Sequence, residues 1–329
     1  KEQTAPNRMQ MNDLVTLKKK YPRDYVYFKL AESYRRNQET DKSFPYYRMC
    51  LRSGKYNDCN FYYALALMND KLYADALSEF ENYINSGSKN DSLLLMASKL
   101  KGGCTLGLDS TTVNKDIVVK KFDTTIINKG NSSFGAVYEP GGQKIVFSTA
   151  RVGNTILNPK KEVADYLIDI YWTEKNDTNY SEAVNFGPPL NTHDHEGACS
   201  YSPDKTIYFT RWNDLMPDDV AIYKAATQND GVSMPIKLGP MINMNGYKSM
   251  HPSVSSDGKR FFFASNRPGG MGGLDIWMCN MDENGDFSDP VNVGAPVNTP
   301  RDEQTPFFHV SSSQLYFSSD GHAGFGGFD

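Results

Sequence analysis

Over the first hundred residues apolar positions recur at helical spacing, and beyond about residue 130 they alternate as they do in strands. In the helical stretch Ala31, Ala64 and Ala97 are spaced by 33 residues. Small Ser43 and Ala76 follow the first two by twelve, and aromatic Tyr47 and Phe80 come four later. Small residues at such positions let two helices cross closely while large neighbours fill the remaining gaps. The pattern predicts one helix pair carrying Tyr27, Leu30, Tyr34 and Cys50 and a second carrying Tyr63, Leu67 and Tyr83. A third helix is expected over 91–101, ending at Gly102 and Gly103.

Further along, one strand pattern occurs four times, at Lys144–Ser148, Thr206–Thr210, Arg260–Ala264 and Gln314–Ser318. Its aromatic anchors Phe147, Phe209, Phe263 and Phe317 lie 62, 54 and 54 residues apart. Turn residues precede each copy, and a second strand follows near Ile170, Ile222 and Ile276. A Gly-x-x-apolar-Asn turn then closes each unit, ending at Asn191, Asn243 and Asn298. Units of this length with three or four short strands read as blades of a β-propeller.

These patterns carry two resemblances. The 33-residue spacing resembles the tetratricopeptide repeat. The segment from Ser265 through Arg267, Gly272, Gly273 and Asp275 to Trp277, echoed from Ser318 to Asp329, is similar to the PD40 version of the WD40 repeat. The expected fold class is therefore multidomain α and β. A tetratricopeptide-repeat helical domain is expected over 1–108, a linker and first propeller strand over 109–130, and PD40/WD40-like blades over 131–329. The chain is expected to end inside a blade, as a piece of a longer protein. A strand over Val118–Thr125 is expected to help close the propeller.

In this order the two parts resemble the OmpA-family periplasmic lipoproteins of Bacteroidetes, among them components of the type IX secretion system. The resemblance implies a non-catalytic periplasmic scaffold that links a secretion or gliding machine to the outer membrane and cell wall. It also implies a removed N-terminal lipid anchor, and contact with peptidoglycan only through a domain absent here. Partners would be other secretion-system or envelope proteins, bound through the repeat groove and the propeller face. Equivalent helix positions place Tyr25, Phe28, Glu32 and Arg35 of the first pair in that groove, with Asp58, Phe61, Leu65 and Met68 of the second. The other readings are a TolB-like ligand-sensing or regulatory module and a propeller-lidded peptidase. The short glycan-acceptor pattern of that phylum matches at Ser92, Ser110 and Thr124.

Composition narrows the field. The 329 residues carry a net charge of −4 and 39% hydrophobic residues, and no run of 18 apolar residues occurs. The net charge and the lack of a recurring Lys/Arg-rich segment set nucleic acid aside as the expected partner, and the basic excess over the first 108 residues against an acidic remainder supports two domains. Five cysteines form no Cys-x-x-Cys pair, so no structural zinc is expected, while Cys50 and Cys59 are a candidate pair. His193, Asp194, His195 and Glu196 are the best metal-like cluster, yet they fall where other units carry a connecting loop. Asp282–Asp286 lacks the later glutamate of a calcium loop and reads as a hairpin turn. No Lys-Ser/Thr follows Gly269–Gly273, and no Gly-x-Ser-x-Gly occurs. The sequence thus points to no catalytic residue, metal or cofactor, and the chain is expected not to be an enzyme.

Overall fold

The computed structural model describes residues 21–56, 58–109, 125–156, 165–176, 179–228 and 231–329. The chain forms two compact units, Lys1–Val118 together with His322–Asp329, and Val119–Gly321.

The first unit holds α1 (Arg23–Arg36), α2 (Thr40–Leu51), α3 (Cys59–Asn69), α4 (Tyr73–Ile84) and α5 (Asp91–Leu108). Ala31, Ala64 and Ala97 are fully buried where helices approach, and Tyr47, Phe61, Phe80 and Tyr83 fill the space between them. Helix α5 starts where Asn90 accepts a hydrogen bond from the Leu93 amide. It does not stop at Gly102 and Gly103 but runs on to Leu108. Both glycines serve close approach instead of termination. A Cβ on Gly103 would lie 1.8 Å from the Gly324 carbonyl oxygen, and one on Gly102 would lie 2.9 Å from the Ala323 side chain. The last eight residues pack here, with Lys99 Nζ donating to the carbonyls of Gly326 at 3.1 Å and Gly327 at 2.6 Å. Tyr73 meets Phe325 at 5.5 Å between ring centroids.

Among the described residues the second unit contains four antiparallel sheets. The first is built on β1 (Ser132–Tyr138), β2 (Lys144–Ala150) and β3 (Asp169–Asn176), the second on β6 (His195–Tyr201), β7 (Thr206–Asn213) and β8 (Met216–Gln228). The third is built on β11 (Ser249–Val254), β12 (Arg260–Ser265) and β13 (Asp275–Asn280). The short β4 (Asn179–Tyr180), β5 (Val184–Asn185), β9 (Gly231–Val232), β10 (Ile236–Lys237) and β14 (Val291–Asn292) flank these three. The fourth sheet is the hairpin of β15 (Glu303–His309) and β16 (Gln314–Ser319). First strands of successive sheets touch, β1 to β6, β6 to β11 and β11 to β15. Each first strand is bulged, and the residue in the bulge has positive φ: Gly135 at 61°, Ala198 at 48°, His251 at 54° and Thr305 at 52°.

The expected fold class, tetratricopeptide repeats followed by a propeller, is corrected by this architecture. The described residues are mostly antiparallel β-sheet with five helices. The alanine spacing is explained by close helix crossings within two hairpins and a single helix. The expected closing strand over Val118–Thr125 lies, but for Thr125, outside the described residues, as do Ser110 and Thr124.

Candidate functional site

Aromatic side chains of α1 and α3, with Tyr21 and Tyr56 from the flanking connections, form a continuous ladder on the helical unit. Ring centroids are 5.4 Å apart for Tyr21 and Tyr25, 6.1 Å for Tyr25 and Tyr56, 5.2 Å for Tyr56 and Phe28, and 5.6 Å for Phe28 and Tyr62. Tyr25, Phe28, Tyr56 and Tyr62 are half-buried and Tyr21 is exposed. The Lys29 ammonium lies 5.6 Å from the Tyr25 ring centre, and the Arg35 guanidinium 5.5 Å from that of Tyr62.

Arg35 is fixed in place by two hydrogen bonds of 2.8 Å to buried Glu32, which also accepts from the Tyr47 hydroxyl. Burial pushes the Glu32 carboxyl up, but the bonds from Arg35 and Tyr47 outweigh it and hold the group below its usual value. Burial, ahead of the neighbouring carboxylate, raises the Tyr47 hydroxyl. The result is a row of aromatic faces ending in a positioned cation.

Four of the residues expected in a groove, Tyr25, Phe28, Glu32 and Arg35, thus meet at this ladder. Of the other four, Phe61 meets the Tyr62 ring edge-on at 5.2 Å, but from within the core. Phe61 and Met68 are buried in the helical core, Leu65 packs against it, and Asp58 accepts a 2.9 Å hydrogen bond from the Tyr83 hydroxyl. The physical reason is that α3 is apolar nearly all round, from Phe61 to Met68, and such a helix is covered on most sides. Tyr21, Tyr56 and Tyr62 belong to the ladder and were missed. Two of them sit outside the helices, where helical periodicity gives no direction.

In the sheet unit the blade motif is spent on the fold. Arg267 donates to the carbonyls of Met241 at 2.8 Å and of Ile242, and lies 4.6 Å from the Phe263 ring centre and 5.4 Å from that of Trp277. Trp277 Nε1 donates to the Ser265 carbonyl at 3.2 Å. Asp275 accepts from the amides of Met271 and Gly272 and from Asn292 at 2.9 Å. A Cβ on Gly272 would lie 2.3 Å from the Arg301 carbonyl oxygen, and one on Gly273 would lie 2.0 Å from an Asp302 carboxylate oxygen. Arg151 and Arg211 repeat the arginine's role, donating to the Ile127 carbonyl at 2.8 Å and the Leu190 carbonyl at 3.0 Å. Each also sits over two aromatic rings of its own sheet.

His195 is buried, accepts from the Ile168 amide at 3.0 Å and stacks on Trp212 with centroids 4.9 Å apart. Its Nε2 is 3.2 Å from the Asp214 carboxylate without hydrogen-bond alignment. Glu196 is fully buried, accepts from the Thr192 amide at 3.0 Å and from Arg211 at 2.7 Å, and is pushed up to about 7, chiefly by burial. Among the described residues no three His, Cys, Asp or Glu side chains are grouped to hold a metal ion. Asp282 accepts from the amides of Asn284 and Asp286, both at 2.9 Å, and so closes a turn.

No family model matches the chain, and no curated protein matches it. Similar solved structures include an α-L-arabinofuranosidase from Lactobacillus brevis, 14% identical, with a TM-score of 0.40 over 60% of this chain and 68% of that one. A Trypanosoma rangeli sialidase is 10% identical, with a TM-score of 0.35 over 57% of this chain and 34% of that one. An α-L-arabinofuranosidase from Podospora anserina is 13% identical, with a TM-score of 0.30 over 56% and 62% of the two chains. All three are named as enzymes, which runs against the expectation that this chain is not one, but likeness at this level assigns the chain no activity and no substrate.

Proposed function

We propose that this chain is a protein-binding scaffold of the bacterial envelope that recognises its partner through the aromatic ladder of the helical unit. The observation that carries the reading is the row of half-buried rings from Tyr25 to Tyr62, ended by the Arg35–Glu32 pair. Tyrosine and arginine held in fixed positions dominate protein interfaces, because they offer large contact area with little entropy left to lose. The sequence resemblance supplies the setting: a periplasmic, lipid-anchored component joining a type IX secretion or gliding machine to the outer membrane and cell wall.

A photo-reactive amino acid at Tyr56, in the full protein expressed in its own envelope, tests this. The expected result is one crosslinked secretion-system component that disappears when Phe28→Ala and Arg35→Ala are introduced together. The same adduct surviving the double variant, or adducts with lipid alone, would remove the ladder from the function.

A further inference from the structure

Asn-Gly occurs twice in the chain, at Asn245–Gly246 and Asn284–Gly285, and both asparagines are exposed. In this dipeptide the glycine nitrogen can attack the asparagine side-chain carbon, because the glycine has no Cβ to hinder the approach. The attack needs a glycine amide free of other bonds and a side-chain amide able to turn toward it.

The two pairs sit one position apart in their turns. At the first, the Tyr247 amide closes the turn on the Met244 carbonyl at 3.1 Å, so Asn245 and Gly246 are its two central residues. Gly246 takes a φ of 82°, with nothing within 4 Å of where a Cβ would stand. Among the described residues neither its amide nor the Asn245 side chain has a hydrogen-bond partner. At the second, Gly285 is the fourth residue of the turn, and its own amide makes the closing bond to the Asp282 carbonyl at 3.0 Å. Asp282 Oδ1 also holds the Asn284 amide at 2.9 Å. The glycine amides of Asp257–Gly258 and Asp320–Gly321 are tied as well, to the Ser255 carbonyl at 2.8 Å and the Ser319 hydroxyl at 2.9 Å.

We propose that Asn245 is a site of spontaneous deamidation in the folded protein. The Gly246 nitrogen bonds to Asn245 Cγ, the Cγ–Nδ2 bond breaks, and Nδ2 leaves as ammonia with the proton from Gly246. A solvent water then opens the five-membered succinimide. Breaking its nitrogen–Cγ bond yields aspartate, and breaking the bond to the main-chain carbonyl carbon yields isoaspartate, with one more methylene in the backbone. Either product puts a negative charge in the connection from β10 to β11. That connection is pinned on both sides, where Asn243 donates to the Ile222 carbonyl at 2.8 Å and the Lys248 amide donates to Asn266 at 2.7 Å. The altered residue therefore leaves the sheets in place, and the charge accumulates with the age of the molecule.

Peptide mapping by mass spectrometry tests this on the full chain aged at neutral pH, in one sample native and in another kept unfolded in urea. In the native protein Asn245 should deamidate at least about threefold faster than Asn284, the factor that one net hydrogen bond is worth. In urea the bond to the Gly285 amide is gone, and the two rates should converge. Asn245→Gln, whose longer side chain disfavours the five-membered ring, should leave that position unchanged in the native protein. A native Asn245 that stays intact while the unfolded one converts, or a native Asn284 that converts as fast as Asn245, would overturn the proposal.

Discussion

Asn298 pairs with Ile276 as a neighbouring strand would. Its side-chain oxygen accepts from the Ile276 amide at 2.8 Å, and its nitrogen donates to the Ile276 carbonyl at 2.9 Å. Asn191 does the same for Ile170, and Asn243 for Ile222. The amide side chain matches a peptide group: it gives the backbone amide its acceptor and adds a second donor to a carbonyl that already accepts from Val293, Phe186 or Leu238.

Asn298→Ala should therefore leave the buried Ile276 amide without an acceptor, while its carbonyl keeps the Val293 amide. The expected loss is about 1–3 kcal/mol, the cost of one buried polar group left unsatisfied. Asn284→Ala, on the exposed hairpin, should change stability by no more than about 0.5 kcal/mol. Urea unfolding decides, and equal midpoints for the two variants would refute the pairing role.

This device was legible in part. The recurring Gly-x-x-apolar-Asn spacing marked the position, and the Phe147, Phe209 and Phe263 anchors are fully buried in β2, β7 and β12. What the asparagine does could not be read from spacing, because its partner sits about twenty residues upstream in another strand. The same limit hid the equivalence of Arg151, Arg211 and Arg267. Arg211 follows its anchoring phenylalanine by two residues and the others by four, yet all three donate to the carbonyl before an asparagine. In the helical unit Tyr25 and Phe28 were legible from periodicity, whereas Phe61 and Met68 were misplaced because periodicity cannot say how many neighbours a helix has.

Gly103→Ala separates two roles of one residue. Alanine in place of a mid-helix glycine adds about 1 kcal/mol of helix stability. The added Cβ, however, would fall 1.8 Å from the Gly324 oxygen, so the terminal segment must leave α5. The expected outcome is faster amide exchange over 322–329 with an unchanged or raised melting temperature. Lys99→Ala, which loses the bonds to Gly326 and Gly327, should quicken the same amides without the helix gain. Unaltered exchange in both variants would mean that these contacts do not hold the segment.

Cys50 and Cys59, a candidate pair from their places on successive helices, are both free and buried, and the Cys59 thiol donates to the Tyr47 carbonyl at 3.7 Å. All five cysteines are buried. Denatured protein purified without reductant should titrate five thiols, and the native protein should react slowly at every one, because buried thiols are inert. Three thiols after denaturation would show that the pair oxidises.

Buried Glu196 and half-buried His251 give the sheet unit opposing pH dependences. Glu196 is pushed up to about 7 from an ordinary value of 4.5, first by burial, against the bonds from Thr192 and Arg211. Its folded pKa lies above its unfolded one, so its contribution is full below pH 4.5 and is lost as pH rises through 7. His251 is pushed down to about 4 from 6.5 by burial. Its contribution is full above pH 6.5 and is lost as pH falls toward 4. Over their shared range the two offset each other, and single variants expose them. Glu196→Gln should leave stability rising with pH between 4 and 6.5, and His251→Asn should leave it falling between 4.5 and 7. Each limb should amount to about 3 kcal/mol, the size of a shift of two to three pKa units at about 1.4 kcal/mol per unit. Chemical unfolding at half-unit pH steps measures both. Parallel pH profiles in the two variants would show that neither burial governs the titration.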